Sequence, residues 1–164
     1  MILNPANDGI NHINMYSKGN TEFGRMLSDF YLCPIETPDG NFLSVEGYWY
    51  WLSLPEEYAP RELLRKFYGY RAKQMGRMHR EAAQKEGYKL RFEPQFEKKI
   101  LSAIEQKMRI EARLFKPEYE NLPIYHYYVF NGKVKDVTND FPWLINGIRQ
   151  LVKQIYNERN SHNS

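Results

Sequence analysis

The sequence has few of the residues that build disulfides, zinc sites or membrane spans. Among its 164 residues there is one cysteine, Cys33. It cannot form an intramolecular disulfide, and the four histidines lie far apart without the paired spacing of a zinc site. The longest apolar runs fall far short of the roughly 20 residues that span a bilayer, and the first residues do not resemble a signal peptide. We therefore expect a cytoplasmic protein with no membrane association, no metal and no cofactor.

Glycine-rich phosphate motifs are also absent. Neither G-x-x-x-x-G-K-[ST] nor G-x-G-x-x-G occurs in the chain. The sequence therefore does not predict one of the common nucleotide-binding folds, which bind phosphates in such loops. No nucleophile elbow is visible either, which argues against a serine hydrolase of the α/β type.

Aromatic residues, in contrast, are abundant. They make up 15% of the chain and include 13 tyrosines and 3 tryptophans, within a hydrophobic share of 42%. This is more apolar surface than a disordered chain carries, and the length suits one ordinary domain with its own core. We predict a single domain over residues 1–164, with a core from about 11 to 157 and a frayed tail over 158–164.

The net charge of +3 hides an uneven distribution. Residues 61–91 hold ten cations and three acids, a local charge of +7, so the rest of the chain carries −4. Three tyrosines are interleaved with these cations: Tyr68, Tyr70 and Tyr88. Such a segment suits an anionic ligand with stackable bases, but a solvated helix face has the same composition. Both interpretations stay open at this point.

The local patterns predict an α+β fold, mostly helical, with a few short antiparallel strands. Turn chemistry at residues 38–40 (PDG) and 131–132 (NG) predicts two hairpins. A short strand is expected within residues 11–17. Ser44 can cap a helix that ends before Pro55, and further helices are expected over 60–68, 71–86, 94–115 and from residue 139 or 140 onward.

Glu46 is the candidate for chemistry. It lies in an otherwise apolar and aromatic helix (SVEGYWYWL), and helical spacing places Trp49, Tyr50 and Ser53 on its side. A buried carboxylate pays a desolvation penalty, which raises its pKa toward the range useful for acid or base catalysis. A solvent-facing glutamate near the N-terminus of the helix is the alternative.

Several motifs, taken in order, resemble the NADAR/YbiA-like family. Its pattern runs roughly I-x-F-Y-S, L-S-N-F, P-I-x-x-D-G, [ST]-S/V-E-H-Y, A-x-x-x-G-R, a lysine-aromatic helix and N-D-x-x-W. The matching segments are 13–17 (INMYS), 27–31 (LSDFY), 34–35 (PI), 39–40 (DG), 44–46 (SVE), 72–77 (AKQMGR), 107–114 (KMRIEARL) and 139–143 (NDFPW). The chain looks most like phage-encoded members that oppose DNA ADP-ribosyltransferase toxins, which would act in the host cytoplasm.

The resemblance implies N-glycosidase chemistry on nucleotide-like substrates. The expected substrate is ADP-ribose attached to guanine, in DNA or a related nucleotide, and its removal would antagonise the toxin. The family's catalytic carboxylates fall on Glu46 and Asp140, and its active-site tryptophan falls on Phe92. The expected substrate-binding residues are Tyr16, Arg25, Ser28, Asp29, Tyr50, Lys73, Arg77, Phe92 and Trp143.

Four positions depart from the family pattern. Gly47 stands in place of its histidine and Asp29 in place of its asparagine, while Phe92 replaces the tryptophan. Ser53 occupies the position of a lysine that family members usually carry. If family catalysis passes through an imine on that lysine, this protein uses another amine such as Lys73, or a direct displacement, or is inactive.

Three alternatives to the glycohydrolase follow. The first is an N-glycosidase for phosphorylated intermediates of the riboflavin pathway. The second is a protein that binds ADP-ribose or a toxin without catalysis. The third is plain nucleic-acid binding through residues 61–91, which would be steeply salt-dependent.

Overall fold

The computed structural model of the protein describes residues 2–92 and 94–162. The chain divides into two compact units. The first combines Met1–Ser28 with Met108–Ser164, and the second is Asp29–Lys107. In the described part of the chain, no helix combines the length and the hydropathy that crossing a bilayer requires.

The second unit opens with the first predicted hairpin. Strands β2 (Ile35–Thr37) and β3 (Gly40–Phe42) pair antiparallel, with Thr37 opposite Gly40. Gly40 has a φ of 107°, a left-handed conformation that glycine adopts without strain. The turn chemistry at residues 38–40 therefore predicted this hairpin correctly.

Helix α2 (Val45–Ser53) follows at once, and Ser44 caps it as expected. The Ser44 hydroxyl accepts a hydrogen bond from the Gly47 N–H at 3.1 Å and donates one to the Phe67 carbonyl at 2.8 Å. A Cβ on Gly47 would lie 2.6 Å from the Leu64 carbonyl oxygen. At this position the helix passes too close to another backbone for any side chain.

Three further helical segments complete this unit. The predicted helix over 60–68 is a 3-10 helix, Ala59–Lys66, and Gly69 does not close it but begins α3 (Gly69–Lys85). Helix α4 (Phe96–Ile110) buries an apolar stripe that includes Ile100 and Ile104, and its last three residues, from Met108, belong to the first unit. The α3 helix packs on α2 through Gly76, whose missing Cβ leaves room for the Tyr50 ring; a Cβ there would lie 2.1 Å from it.

The first unit contains two strand pairs. Strand β1 (Ile13–Asn14) pairs with β4 (Ile124–Tyr125), and this pair is parallel. The Asn-Gly hairpin joins β5 (Tyr127–Phe130) and β6 (Lys133–Asp136) as predicted, with Asn131 at φ 50° and Gly132 at φ 72°. The parallel pair was not foreseen, because its strands are more than 100 residues apart in sequence.

Helices fill the rest of this unit. They are α1 (Glu22–Leu27), α5 (Pro142–His162) and three short 3-10 helices at Pro5–Asn7, Ala112–Leu114 and Pro117–Tyr119. Phe23 packs against Phe115 and Tyr119 in its core, at ring distances of 4.9 Å and 5.5 Å. The α+β, mostly helical class is confirmed, while the extent of the single domain stays a prediction.

The end of α5 differs from the expected frayed tail. Residues 158–162 remain helical, and residues 163–164 lie outside the described part. Two side chains hold this end: Arg159 donates to the Phe115 carbonyl, and Asn160 donates to Glu120. The frayed tail was predicted from the polar composition of this segment. In the structure, polar side chains of the segment make hydrogen bonds to residues that are distant in sequence.

Candidate active site

Glu46 is the centre of the candidate site in the second unit. It lies in the first turn of α2 and is half-buried. Its backbone N–H donates to the Asp29 carbonyl at 3.0 Å, which fixes the start of the helix next to that acidic residue. Burial, and then the negative charge of Asp29, raise the pKa of Glu46 to about 8. This carboxyl group is therefore protonated at neutral pH.

Three cations from one face of α3 surround Glu46. Lys73, Arg80 and Arg77 each lower the pKa of Glu46 by their charge, against the larger effects of burial and Asp29. Their spacing of i, i+4 and i+7 places them on the same side of the helix. A positively charged wall thus faces a carboxyl group that is mostly neutral.

Arg80 is held in place by the residues that follow Glu46 on α2. Its Nε donates to the Ser53 hydroxyl at 2.9 Å, and its guanidinium lies 4.3 Å from the Tyr50 ring centre. The buried Nη2 of Arg80 has no hydrogen-bond partner among the described residues. This nitrogen is a donor available to a ligand oxygen, such as that of a phosphate.

Tyr50 and Phe92 form the aromatic part of the site. Arg77 hydrogen-bonds to Tyr50, and burial, followed by the charge of Glu46, raises the Tyr50 pKa. Phe92 is 54% exposed, and its ring centre lies 5.7 Å from the Arg80 guanidinium. Behind it, the Phe96 ring lies 4.8 Å away and in turn packs on Trp49. An exposed ring with a packed support is suited to stacking on a base.

A buried lysine of α4 adds to the site. Lys107 begins the 107–114 segment that was matched to the lysine-aromatic helix of the family pattern, but no role in the site was predicted for it. Lys107 is fully buried, and burial lowers its pKa to about 8, against the opposing charges of Asp29, Cys33 and Glu46. Burial raises the pKa of Asp29, and the charge of Lys107 lowers it. One signal was present in the sequence: Lys107 lies three residues after Ile104, on the apolar stripe of α4.

The expected site residues separate into two groups. Six of them belong to the second unit, where each interacts with Glu46 or Arg80: Asp29, Glu46, Tyr50, Lys73, Arg77 and Phe92. Arg80 and Lys107 join this group without having been expected. Ser53 also contributes, since it positions Arg80 from the place where the family carries a lysine.

The other five expected residues belong to the first unit. Tyr16 is half-buried with its ring 5.4 Å from that of Tyr128, and Arg25 donates to the Gly19 carbonyl at 2.8 Å. Ser28 is buried at the end of α1, and Trp143 is half-buried in the first turn of α5. Asp140, the second expected catalytic carboxylate, is exposed just before that helix. Their roles in binding and catalysis stay predictions.

The basic segment serves two purposes. Arg61 is buried, with its guanidinium 3.7 Å from the Trp51 ring centre, and it donates to the Leu54 carbonyl at 3.1 Å. Arg65 pairs with Glu62 and lies over the Phe42 ring. These two cations stabilise the fold, whereas Lys73, Arg77 and Arg80 belong to the candidate site.

A metal site and a surface depression are the alternatives to the Glu46 site. In residues 2–92 and 94–162, no group of three or more His, Cys, Asp or Glu side chains could hold a metal ion. A shallow depression runs along α5 and includes none of the candidate residues: Gln150, Lys153, Gln154, Asn157, Glu158 and Ser161 line it. Glu46 remains the better candidate, because its shifted pKa and convergent cations are what acid catalysis needs.

One comparison with known proteins is informative. No family model matches the sequence, and no curated protein matches it. The NMR structure of the E. coli protein YbiA does match, with a TM-score of 0.60 and 19% sequence identity over 96% of this chain and 95% of that chain. The chain has a YbiA-like fold. The fold implied by the sequence motifs is therefore confirmed, and at this identity the likeness concerns the fold alone.

Proposed function

We propose that this protein is an N-glycosidase that hydrolyses the bond between a ribose anomeric carbon and a nitrogen atom. Its first candidate substrate is ADP-ribose linked to guanine, in DNA or a related nucleotide. The observation that carries the proposal is the state of Glu46: burial and Asp29 raise its pKa to about 8, beside three cations. Departure of a basic nitrogen requires a proton donor. A protonated carboxyl group supplies the proton, and the cations beside it can bind the phosphates of the substrate.

In the proposed reaction, Glu46 first acts as an acid. The bond between the anomeric carbon and nitrogen breaks, its electron pair goes to the nitrogen, and the Glu46 proton neutralises that nitrogen. The ribose then carries an oxocarbenium-like positive charge, which the resulting carboxylate stabilises. Water adds to the anomeric carbon and returns a proton to the carboxylate. Glu46 ends each cycle as it began.

The cations have the role of holding the diphosphate. Arg77 and Lys73 would bind its oxygens as charged donors, and the free Nη2 of Arg80 offers a further hydrogen bond. Phe92 and Tyr50 supply rings against which a base can stack. Asp140, from the resemblance, is proposed as the second carboxylate that handles water or the ribose charge.

Hydrolysis of an oligonucleotide with one ADP-ribosylated guanine tests the proposal. Glu46→Gln should slow release of ADP-ribose by about 100- to 10,000-fold, because the amide cannot donate a proton in this way. Glu97→Gln, an exposed acid on α4, is the matched control and should retain the wild-type rate. Asp140→Asn tests the second carboxylate separately. If both Glu46→Gln and Asp140→Asn keep the full rate, the assignment is wrong.

The pH profile gives a second readout of the same acid. Since Glu46 must be protonated to act, kcat/KM should fall above pH 8, following its raised pKa of about 8. If the residual activity of Glu46→Gln still falls above pH 8, the titration belongs to another group.

A substrate panel separates the two enzymatic alternatives. Phosphorylated riboflavin-pathway intermediates contain the same type of bond on a smaller molecule, and faster turnover of these would replace the first candidate. Borohydride reduction tests whether an amine of the protein forms an imine with the substrate. A covalent adduct that is lost in Lys73→Met would assign the imine to Lys73.

Ser53 supports one alternative of another class. At the position of the family's lysine, its hydroxyl donates to the Tyr50 carbonyl at 2.7 Å and accepts from Arg80, so no amine is present there. A protein that binds ADP-ribose without cleaving it would keep the cations and dispense with the lysine. Calorimetry that detects ADP-ribose binding without single-turnover release would favour this function.

A further inference from the structure

The segment from Lys66 to Arg80 is unusual in its charge. It contains five cations and no acid in 15 residues. Among the described residues, no carboxylate lies within ion-pair distance of Lys66, Arg71, Lys73 or Arg77. Arg61 and Arg65 differ, since they stack on Trp51 and lie beside Glu62. The positive potential of the Lys66–Arg80 segment is therefore not neutralised by the fold.

Two exposed tyrosines lie at the start of this segment. Tyr68 is 49% exposed and Tyr70 is 58% exposed, although large aromatic side chains usually bury most of their surface. Between them Gly69 has a φ of 64° and donates from its N–H to the Phe30 carbonyl at 2.8 Å. The Phe30 ring lies 6.4 Å from that of Tyr70. The two tyrosines thus project from a backbone that is held in place.

The cations continue from these rings along one face of α3. Tyr70, Lys73 and Arg77 are spaced i, i+3 and i+7, so they share one side of the helix. Arg80 follows at i+10 on the flank that faces Tyr50 and Glu46. A continuous track of aromatic and positively charged groups therefore leads from the N-terminus of α3 to the candidate active site.

We propose that this track binds single-stranded nucleic acid. Bases would stack on Tyr68 and Tyr70, and the phosphates of the same strand would contact the exposed cations Lys66 and Arg71 beside them, which leaves Lys73 and Arg77 to the diphosphate. Sequence-tolerant stacking and charge contacts are the chemistry of single-strand surfaces, whereas a free nucleotide would reach only the groups near Glu46. The track deepens the proposed function by making a polynucleotide its substrate class, and strand binding itself does not depend on that function.

Fluorescence anisotropy with an unmodified, labelled DNA strand of about 12 nucleotides tests the track without any catalysis. We expect Tyr68→Ala combined with Tyr70→Ala to weaken binding by about 10- to 100-fold. Lys66→Gln combined with Arg71→Gln should lower the slope of log Kd against log salt by about 1 to 2. Circular dichroism checks that each variant is folded.

Matched controls come from the exposed hairpin of the first unit. Phe130 is 75% exposed, and Lys133 and Lys135 are exposed cations next to it. Phe130→Ala and the double variant Lys133→Gln/Lys135→Gln repeat the same chemical changes away from the track, and should leave strand affinity near the wild-type value.

Three results would overturn the proposal. They are no strand binding by the wild type at low salt, equal losses in the track and control variants, and equal affinity for a duplex, whose bases cannot stack on tyrosines. A matched RNA strand tells which sugar is preferred, and tyrosine-dependent binding of either strand supports the track. Turnover of a modified mononucleotide without strand binding would contradict the track and support the N-glycosidase. Strand binding without turnover would support the track and contradict the N-glycosidase.

Discussion

The buried polar groups of the two units are satisfied in different ways. In the first unit Asp8 accepts hydrogen bonds from the Asn14 and Asn20 N–H groups, and the Asn14 side chain both donates to and accepts from the Tyr127 backbone. In the second unit the charges of Asp29 and Glu46 oppose each other, and Lys107 only partly compensates. Polar groups that are fully hydrogen-bonded stabilise a fold, whereas ionisable groups held away from their ordinary pKa are typical of functional sites.

Removal of Lys107 should give the largest effect on stability. Lys107→Met leaves the Asp29 carboxyl group without the cation whose charge lowers its pKa, so the free energy of unfolding should fall by about 3 kcal/mol at pH 7. Urea denaturation measures this change. The double variant Lys107→Met/Asp29→Asn removes both charges and should recover most of the loss. Equal stabilities of the single and double variants would contradict the coupling of the pair.

Removal of Asn14 should give a smaller loss that does not depend on pH. Asn14→Ala leaves the buried N–H and carbonyl of Tyr127 without partners, at a cost of about 2 kcal/mol in the free energy of unfolding. The matched control is Asn121→Ala, at an exposed position of the same unit, with a change within about 0.5 kcal/mol. A loss that varies between pH 5 and 9 would show that Asn14 is coupled to a titrating group, such as His12, whose pKa burial lowers.

The pH dependence of stability should give the smallest effect, with a sign set by Glu46 and Lys107. The pKa of Glu46 rises from 4.5 to about 8 on folding. Between these values the unfolded chain binds fewer protons, so stability falls as pH increases. The pKa of Lys107 falls from 10.5 to about 8, so above pH 8 the unfolded chain binds more protons and stability recovers.

We therefore expect a minimum of stability near pH 8, with a depth of about 1 kcal/mol after allowance for the partial exposure of Glu46. Thermal unfolding at fixed ionic strength from pH 5 to 10 measures it. Glu46→Gln should be more stable than the wild type at pH 8 and should reduce the acid-side slope, while Asp29 maintains part of it. A wild-type profile flat across this range would show that these groups titrate normally.

Local patterns predicted most of the elements but not their partners. The hairpins at Gly40 and Asn131-Gly132 and the Ser44 cap depend on residues within a few positions, so turn and capping chemistry was sufficient. The parallel pairing of β1 with β4 joins residues more than 100 positions apart, and no local signal reports it. The ordered end of α5 escaped prediction for the same reason.

The candidate site was predicted in part. Glu46 stood out as an acid among aromatic residues, and Lys73 and Arg77 were expected in the site from the family resemblance. The sequence could not tell that Arg61 and Arg65 of the same basic segment serve packing. Nor could it tell that the Leu64 carbonyl leaves no room for a side chain at Gly47.

By itself the sequence determined the class of the fold, the positions of its turns and caps, and the charge of the 61–91 segment, because these follow from local chemistry and composition. Only the tertiary structure decided the state of each charge. Burial of Glu46 next to Asp29 and complete burial of Lys107 result from packing between distant helices. Desolvation depends on all the surrounding atoms at once, and for that reason a carboxyl group in a sequence becomes a candidate acid only in the folded protein.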